Sequence, residues 1–378
     1  MNKIAVWGGG IIAMLMAIVL KKQNYDVALW RQAKPNASNN NQRVFALTST
    51  SLDFLKSIGV WARYPCHAAQ AVHQMIIWDG VGNTQLEFDS AEIAKSELAK
   101  IVQETALWEA CYQELLAQKI PVYEVQSAEQ CYHGQEKWHL DVAGGRLLSA
   151  DVLFIADGAK SVVRDNLKIS CKKDSYKQQG LVALVRVSKP HQGRALQIFG
   201  IHGPLALLPL ADQFYYSMVW SLDDELAQNY LGLAERGFCD KLQAYWDGYV
   251  GEIESVEGLQ AYPLHYLHAD NYYGENWVLV GDAAHHFHPL AGLGLNVGLA
   301  DIICLQRLWQ NNDLNASLSK YQRERRAKIQ PLLQMINLIK NSFAINDLIW
   351  IKLRNLGIGW INNHVFLKKV MMTMVQSI

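Results

Sequence analysis

Three short runs carry the residues of this chain that could do chemistry. The first is Gly8-Gly9-Gly10-Ile11-Ile12-Ala13, a G-x-G-x-x-A. The second is Asp157-Gly158-Ala159-Lys160-Ser161-Val162-Val163-Arg164, a D-G-x-x-S-x-x-R. The third is Gly281-Asp282-Ala283-Ala284-His285-His286-Phe287-His288-Pro289, followed closely by Gly292-Leu293-Gly294-Leu295-Asn296. A glycine turn that opens a helix leaves backbone N–H groups free, and the helix dipole favours negative charge there. Such a turn can hold an electron-rich ligand atom. A carboxylate beside it, such as Asp157 or Asp282, can accept from a ligand hydroxyl.

Each run follows a short apolar segment that reads as a buried strand: Lys3–Trp7, Asp151–Ala156 and Trp277–Val280. The first run continues into a helix over Met14–Lys22 and a second strand over Tyr25–Trp30, the βαβ setting in which this fingerprint binds a dinucleotide. Gly8 would permit the turn, Gly10 would let backbone approach a pyrophosphate, and Ala13 would let helix and strand pack closely. Counting from Gly8, the strand-end position where an Asp or Glu would bind a ribose diol is Arg31. An arginine cannot accept those hydroxyl protons, though it could meet a phosphate. In the second run Asp157 could serve a ligand, or Asp157 or Ser161 could cap the helix. After the third run, the spacing of Leu295, Val297, Leu299, Ile302 and Ile303 predicts a helix. His285, His286 and His288 lie close together in a loop with no fourth ligand, so no metal site is expected. His288 is better placed as a pocket wall or hydrogen-bond donor.

The remaining chain supplies the frame. Its 378 residues, half of them hydrophobic, suffice for two domains with a large core. A net charge of zero argues against nucleic acid as a main partner. Six scattered cysteines without C-x-x-C suit reduced thiols in a cytoplasmic protein. No secretory signal and no run long enough to span a membrane is expected. Ser49–Ile58 reads as a helix ended by Gly59, Met75–Trp78 with Gln85–Phe88 as a hairpin, and Ser96–Lys119 as one long amphipathic helix. Val122–Val125, Lys137–Val142 and Arg146–Ser149 read as strands. So do Leu181–Val187, Ala195–Phe199, Leu205–Leu210, Phe214–Leu222 and a segment near Gln260–Leu264, with helices at Glu225–Tyr230 and Glu235–Tyr249. That order suits an antiparallel sheet inserted between two parts of a nucleotide-binding domain. Phe199, Tyr215, Tyr216 and Trp220 could wall an aromatic pocket or simply pack the sheet. In Pro331–Ile378, Lys340, Lys352, Arg354, Lys368 and Lys369 oppose only Asp347, an excess of +4 (five basic less one acidic). This tail reads either as core-packing helices or as an interfacial amphipathic surface.

The order of these motifs, with Arg43-Val44-x-Ala46-Leu47 between the first two, resembles the single-component FAD-dependent aromatic hydroxylases. It looks most like the ubiquinone-biosynthesis hydroxylases. Ile77-Trp78-Asp79, Gly203–Leu210, Tyr262-Pro263-Leu264 and Leu353–Gly357 extend the likeness along essentially the whole chain. The resemblance implies an α/β protein: a Rossmann-like FAD-binding domain with an inserted mixed or antiparallel β-sheet substrate domain and C-terminal helices. The FAD domain would comprise 1–70, 96–172 and 270–330, the substrate domain 71–95 and 173–269, and the helical tail 331–378.

By the same resemblance, Gly8, Gly10 and Ala13 would serve the FAD pyrophosphate, and Arg43 its phosphate side. Gln103 would lie near the ribityl and pyrophosphate region. Asp157 and Gly158 would face FAD and reduced nicotinamide. Gly281 and Asp282 would hold the ribityl chain, and Pro289, Gly292, Leu293, Gly294, Leu295 and Asn296 would face the isoalloxazine. Four features depart from the family: Arg31, Leu293 in place of a common Gln, Ala300 in place of a frequent Arg, and a short approach to the helix at Gln103. The implied reaction is hydroxylation of a polyprenyl phenol ring in ubiquinone biosynthesis, using NADH or NADPH and O2. Other quinone-biosynthesis proteins and the inner face of the membrane, touched peripherally, are the implied partners. No catalytic acid or base is assignable; His288 is a pocket candidate. Two alternatives stand beside this reading. One is another flavin-dependent aromatic hydroxylase or isoprenoid reductase. The other is a non-catalytic flavin-binding scaffold of a quinone-synthesis complex.

Overall fold

The computed structural model describes residues 3–33, 43–82, 84–134, 136–246, 248–288, 292, 294–309, 314–345 and 347–376. Its first sheet has six strands in the order Tyr273–Gly274, Trp277–Leu279, Val152–Ile155, Lys3–Trp7, Asp26–Gln32, Val122–Val125. All neighbours run parallel except the short edge strand at Tyr273. Central parallel strands are covered on both faces and therefore read as continuous apolar runs. Val152–Ile155 is buried at every position, and Lys3–Trp7 at all but the first. The helix Ile11–Lys22 lies in the middle of this layer, with nine of its twelve residues buried. It packs against the helices Glu104–Ala117 and Gly294–Trp309.

The second sheet has eight strands. Their order is His285–His286, Ile253–Ala269, Cys171–Val187, Tyr215–Asp223, Gly203–Pro209, Arg194–Gly200, Gln74–Asp79, Gln85–Asp89. Helices Asp224–Leu231 and Glu235–Gln243 pack on it around Trp220, Phe238 and Trp246. Tyr216 and Trp220 are buried in this core, while Phe199 stacks on Phe343 and Tyr215 lies beside Arg186. Tyr216 and Trp220 are therefore sheet-core residues, whereas Phe199 meets the helix Leu314–Ala344. The edge strand His285–His286 belongs to the third glycine run, so that run is tied into both sheets.

Three expectations are corrected. Ser96–Lys119 is not one helix: Ala99–Gln103 is a strand, paired antiparallel with Val44–Leu47 and Gln70–Val72, and the helix begins at Glu104. Ile101 therefore packs in a small sheet, and Leu116 is exposed. The strands at Leu181–Val187 and Gln260–Leu264 are parts of two 17-residue strands, Cys171–Val187 and Ile253–Ala269. The polar half Cys171–Lys177 carries no alternating apolar signal because it is mostly exposed, yet Cys171–Ser175 pairs with His265–Ala269. The helix from Glu235 stops at Gln243.

The tail begins at Pro331, inside the helix Leu314–Ala344, and continues as Leu348–Asn362 and Val365–Gln376. Asp347 caps Leu348–Asn362 by accepting from the Ile349 and Trp350 N–H groups, both at 3.0 Å. The last two helices dock on the Gln74–Asp89 hairpin through polar contacts. Arg354 meets both Asp79 oxygens at 2.7 and 2.9 Å, with both side chains buried. Lys368 donates to Glu92 at 2.7 Å and to the Glu87 carbonyl at 3.0 Å, and it is buried. Two of the basic residues counted toward the tail's positive excess are therefore spent inside the molecule. The apolar side chains instead face out: Leu348, Ile349, Leu353, Leu356, Trp360 and Phe366 are 55–77 % exposed. Among the described residues, no helix is long and apolar enough to cross a membrane. All six cysteines are free.

Candidate functional site

The strands Lys3–Trp7, Val152–Ile155 and Trp277–Leu279 are neighbours and end in register, Trp7 opposite Ile155 and Ile155 opposite Leu279. The three glycine runs therefore emerge side by side at the carboxyl edge of one parallel sheet, the edge where open α/β sheets bind ligands. Gly8 sits at φ +145°, and a Cβ there would fall 2.5 Å from the Ala156 carbonyl and 3.0 Å from the Ala13 Cβ. Its N–H donates to the Trp30 carbonyl at 2.9 Å. Gly8 is thus required by the turn, and Ala13 is the small residue beneath it. Gly10 opens the helix Ile11–Lys22 with neither a side-chain cap nor an acidic residue in the first turn. A Cβ on Gly10 would meet nothing within 4 Å.

Asp157 follows the second strand. Its Oδ2 accepts from the Trp7 indole at 3.0 Å. Its Oδ1 is buried and has no hydrogen-bond partner among the described residues. Burial pushes this carboxyl above the usual range. Gly158 has φ +91° and open space where a Cβ would lie. Ser161, not Asp157, caps the following helix, accepting from the Arg164 N–H at 3.0 Å. Arg164 is buried and ties the second run to the third, donating to the Ala159 and Ala283 carbonyls at 2.9 and 3.1 Å.

Gly281 has φ +64°. Its N–H donates to Asp301 at 2.9 Å. Ile12 packs beneath both Gly281 and Gly298, so a Cβ on Gly298 would come within 2.8 Å of it. Asp282 remains partly exposed, with one oxygen 2.9 Å from His286 Nδ1. His285 points the other way, its Nε2 at 2.8 Å from buried Asp301. Arg325 donates to the second Asp301 oxygen at 2.6 Å and to the Val297 carbonyl at 3.0 Å. Burial alone would raise the Asp301 carboxyl; His285, Arg325 and the Gly281 N–H outweigh it and hold it low. Two of the three histidines thus engage different carboxylates, and no metal-holding group occurs among the described residues. His288 is buried, with its ring edge-on to Tyr176 at 5.2 Å.

Gly292, at φ +62°, lies against Ala46, and Gly294 opens its helix with nothing within 4 Å of a Cβ position. The Asn296 side chain fastens this region to the Val44–Leu47 strand. It donates to the Ala46 carbonyl at 2.8 Å and accepts from the Thr48 N–H at 3.0 Å. Leu295 is buried in the core. Pro289 and Leu293 lie outside the described residues. Arg43 and Gln103 come together through strand pairing: the Glu104 N–H donates to the Arg43 carbonyl at 3.0 Å, and the exposed Arg43 guanidinium lies 3.6 Å from Glu104. Gln103 precedes the helix as its N-terminal cap residue. Residue patterns gave no signal for Trp108, whose indole donates to the Gly9 carbonyl at 2.8 Å. They also gave no role to Asp301, although it closes the third run, or to Arg325, 24 residues further on.

The arrangement is a cradle for a long phosphate-bearing ligand. It has an uncapped helix start, open space over three glycines, an unpartnered buried carboxylate oxygen and a second carboxylate open to water. Comparisons with known proteins agree. The chain is 28 % identical to a mitochondrial ubiquinone biosynthesis monooxygenase of Drosophila melanogaster, over 95 % of this chain and 86 % of that one. It is 28 % identical to the 3-demethoxyubiquinol 3-hydroxylase of Escherichia coli K12, over 80 % of this chain and 78 % of the relative. In fold it is similar to the p-nitrophenol 4-monooxygenase of Pseudomonas putida DLL-E4, with a TM-score of 0.80, 15 % identity and coverage of 100 % and 99 %. It is also similar to Klebsiella pneumoniae HpxO, solved with FAD and uric acid, with a TM-score of 0.74, 16 % identity and coverage of 100 % and 97 %. A family model described as an FAD binding domain matches residues 1–335, and the chain belongs to that family.

Proposed function

We propose that this chain is an FAD-dependent monooxygenase that hydroxylates the aromatic ring of a polyprenyl phenol in ubiquinone biosynthesis, with NADH or NADPH as reductant and O2 as oxygen source. The observation that carries the reading is the convergence of three glycine runs on one sheet edge, directly beside a second, eight-stranded sheet. The substrate class rests on the names of the relatives. FAD, when bound, supplies the electron transfer and oxygen activation.

The chain's own residues bind and orient. The turn Gly8–Gly10 and the free N–H groups of helix Ile11–Lys22 take the pyrophosphate. Arg43 and Gln103 close over the phosphate side. Asp157 and Asp282 accept from cofactor hydroxyls, and the start of helix Gly294–Trp309 stabilises negative charge on the ring. The first sheet and its loops hold the cofactor, and the eight-stranded sheet walls the substrate. His288 and Tyr176 lie where the second sheet meets the third run and help exclude water. Purified protein supplied with FAD, reduced nicotinamide and a detergent-dispersed polyprenyl phenol should yield a product 16 mass units heavier, in step with nicotinamide consumed. FAD binding without any such turnover would favour the scaffold reading instead.

The tail supports contact with a bilayer, where such a water-insoluble substrate resides. Its outward apolar surface, bordered by exposed Lys352 and Lys369, suits interfacial insertion. Because Arg354 and Lys368 are paired internally, apolar burial outweighs charge in this attachment. Each buried large side chain contributes about 1.5–3 kcal/mol. The variant Leu356→Asp/Phe366→Asp should therefore sediment with liposomes at least about tenfold less than wild type. Wild-type binding should largely survive high salt. Equal sedimentation of the two proteins would remove this surface as the docking face.

A further inference from the structure

The position that should carry a ribose-binding acid is Arg31, and the structure provides a carboxylate next to it from another strand. Arg31 and Glu124 face each other in register on the parallel strands Asp26–Gln32 and Val122–Val125. Arg31 donates through Nε to Glu124 Oε1 at 2.7 Å, and its Nη2 contacts the same oxygen. The guanidinium also lies 5.9 Å from the Trp108 ring and 5.5 Å from the Tyr112 ring. Those two rings are stacked on each other, and Trp108 is anchored to the Gly9 carbonyl. Arg31 is thus held on two sides and is not presented as a free cation for a phosphate.

The pair also stands at the glycine turn. Trp30, the preceding residue, accepts the Gly8 N–H, and the Arg31 Cδ lies 3.6 Å from where a Cβ on Gly9 would be. Both Arg31 contacts fall on Glu124 Oε1, and Oε2 has no hydrogen-bond donor among the described residues. The Glu124 side chain is about half exposed, at 47 %, whereas Arg31 is at 17 %. A half-exposed carboxylate with one oxygen clamped by an arginine is held in place to accept two neighbouring hydroxyls. We propose that Glu124, positioned by Arg31, is the residue that accepts the adenosine ribose hydroxyls of FAD. The acid has moved from the end of one strand to its neighbour, and the arginine left behind orients it.

This inference rests on FAD being the cofactor, so the test separates the two. FAD-stripped protein is titrated with FAD and with an FAD analogue carrying 2′,3′-dideoxyadenosine, which lacks both hydroxyls, followed by flavin fluorescence, with circular dichroism as a check on folding. Glu124 is half exposed and its replacement by Gln keeps the shape of the side chain, so that variant should fold. Glu124→Gln should weaken FAD binding about tenfold to a hundredfold, as loss of a charged hydrogen bond does. The analogue should bind the variant and wild type nearly alike. Arg31→Gln should give a smaller loss for FAD, because the carboxylate remains but is no longer held. Unchanged FAD affinity in Glu124→Gln, or an equal loss for FAD and the analogue, would overturn the proposal. Failure of wild type to bind FAD at all would overturn the cofactor assignment with it.

Discussion

Gly8→Ala is expected to cost the protein about 4 kcal/mol of stability and to abolish measurable FAD binding. The backbone at φ +145° is one that side-chain-bearing residues rarely adopt, and the new Cβ would lie 2.5 Å from the Ala156 carbonyl oxygen. That carbonyl cannot step aside easily. The Ala156 N–H is bonded to the Trp7 carbonyl at 2.8 Å, so the peptide continues the central strand pairing. Gly10→Ala isolates the ligand effect from the folding effect. Its φ of −91° suits alanine, and no protein atom lies within 4 Å of the new methyl group. Gly10→Ala should therefore melt at the parental temperature without flavin, yet bind FAD at least tenfold more weakly, because the methyl fills space meant for the pyrophosphate. A thermal melt and a flavin titration on both variants provide the check. Parental FAD affinity in Gly10→Ala would mean that the pyrophosphate lies elsewhere.

Asp301→Ala should lower stability at neutral pH by about 3–5 kcal/mol, the usual cost of leaving a buried charge without its partner. Asp301 is fully buried and joins Gly281, His285 and Arg325. Its loss strands the Arg325 guanidinium and removes the acceptor that fixes the turn before Asp282. FAD affinity should fall with stability, since that turn carries a carboxylate open to the site. The pH dependence has a definite sign. The Asp301 carboxyl is held below its ordinary value of about 3.9. Its contribution is therefore fully present above that pH and is lost as pH falls through the lower folded value. Urea unfolding should show the gap between wild type and variant shrinking only in this acidic range. A gap that stayed constant into acid, or one below about 1 kcal/mol at neutral pH, would mean that the cluster is not the tie described.

The three glycine runs, the apolar strands leading into them and the flavin-binding family that their order resembles are legible along the unfolded chain. These signals are local. Positive φ demands glycine at Gly8 and Gly158, a buried parallel strand must be apolar throughout, and a helix after a turn shows its own period. How the polar residues are used emerges only on folding. Arg31 and Glu124 are 93 residues apart, and Arg354 and Asp79 are 275 apart. A charge count along the tail includes Arg354 and Lys368 in its excess because no local pattern marks a side chain whose counter-ion comes from another element. The same holds for Asp301 with Arg325, and for Ala99–Gln103, where the segment's helix-compatible pattern yields to the two strands waiting to pair with it. A strand is stabilised by backbone partners distant in sequence, and a buried ion by a charge distant in sequence, so both become visible only when the chain is folded.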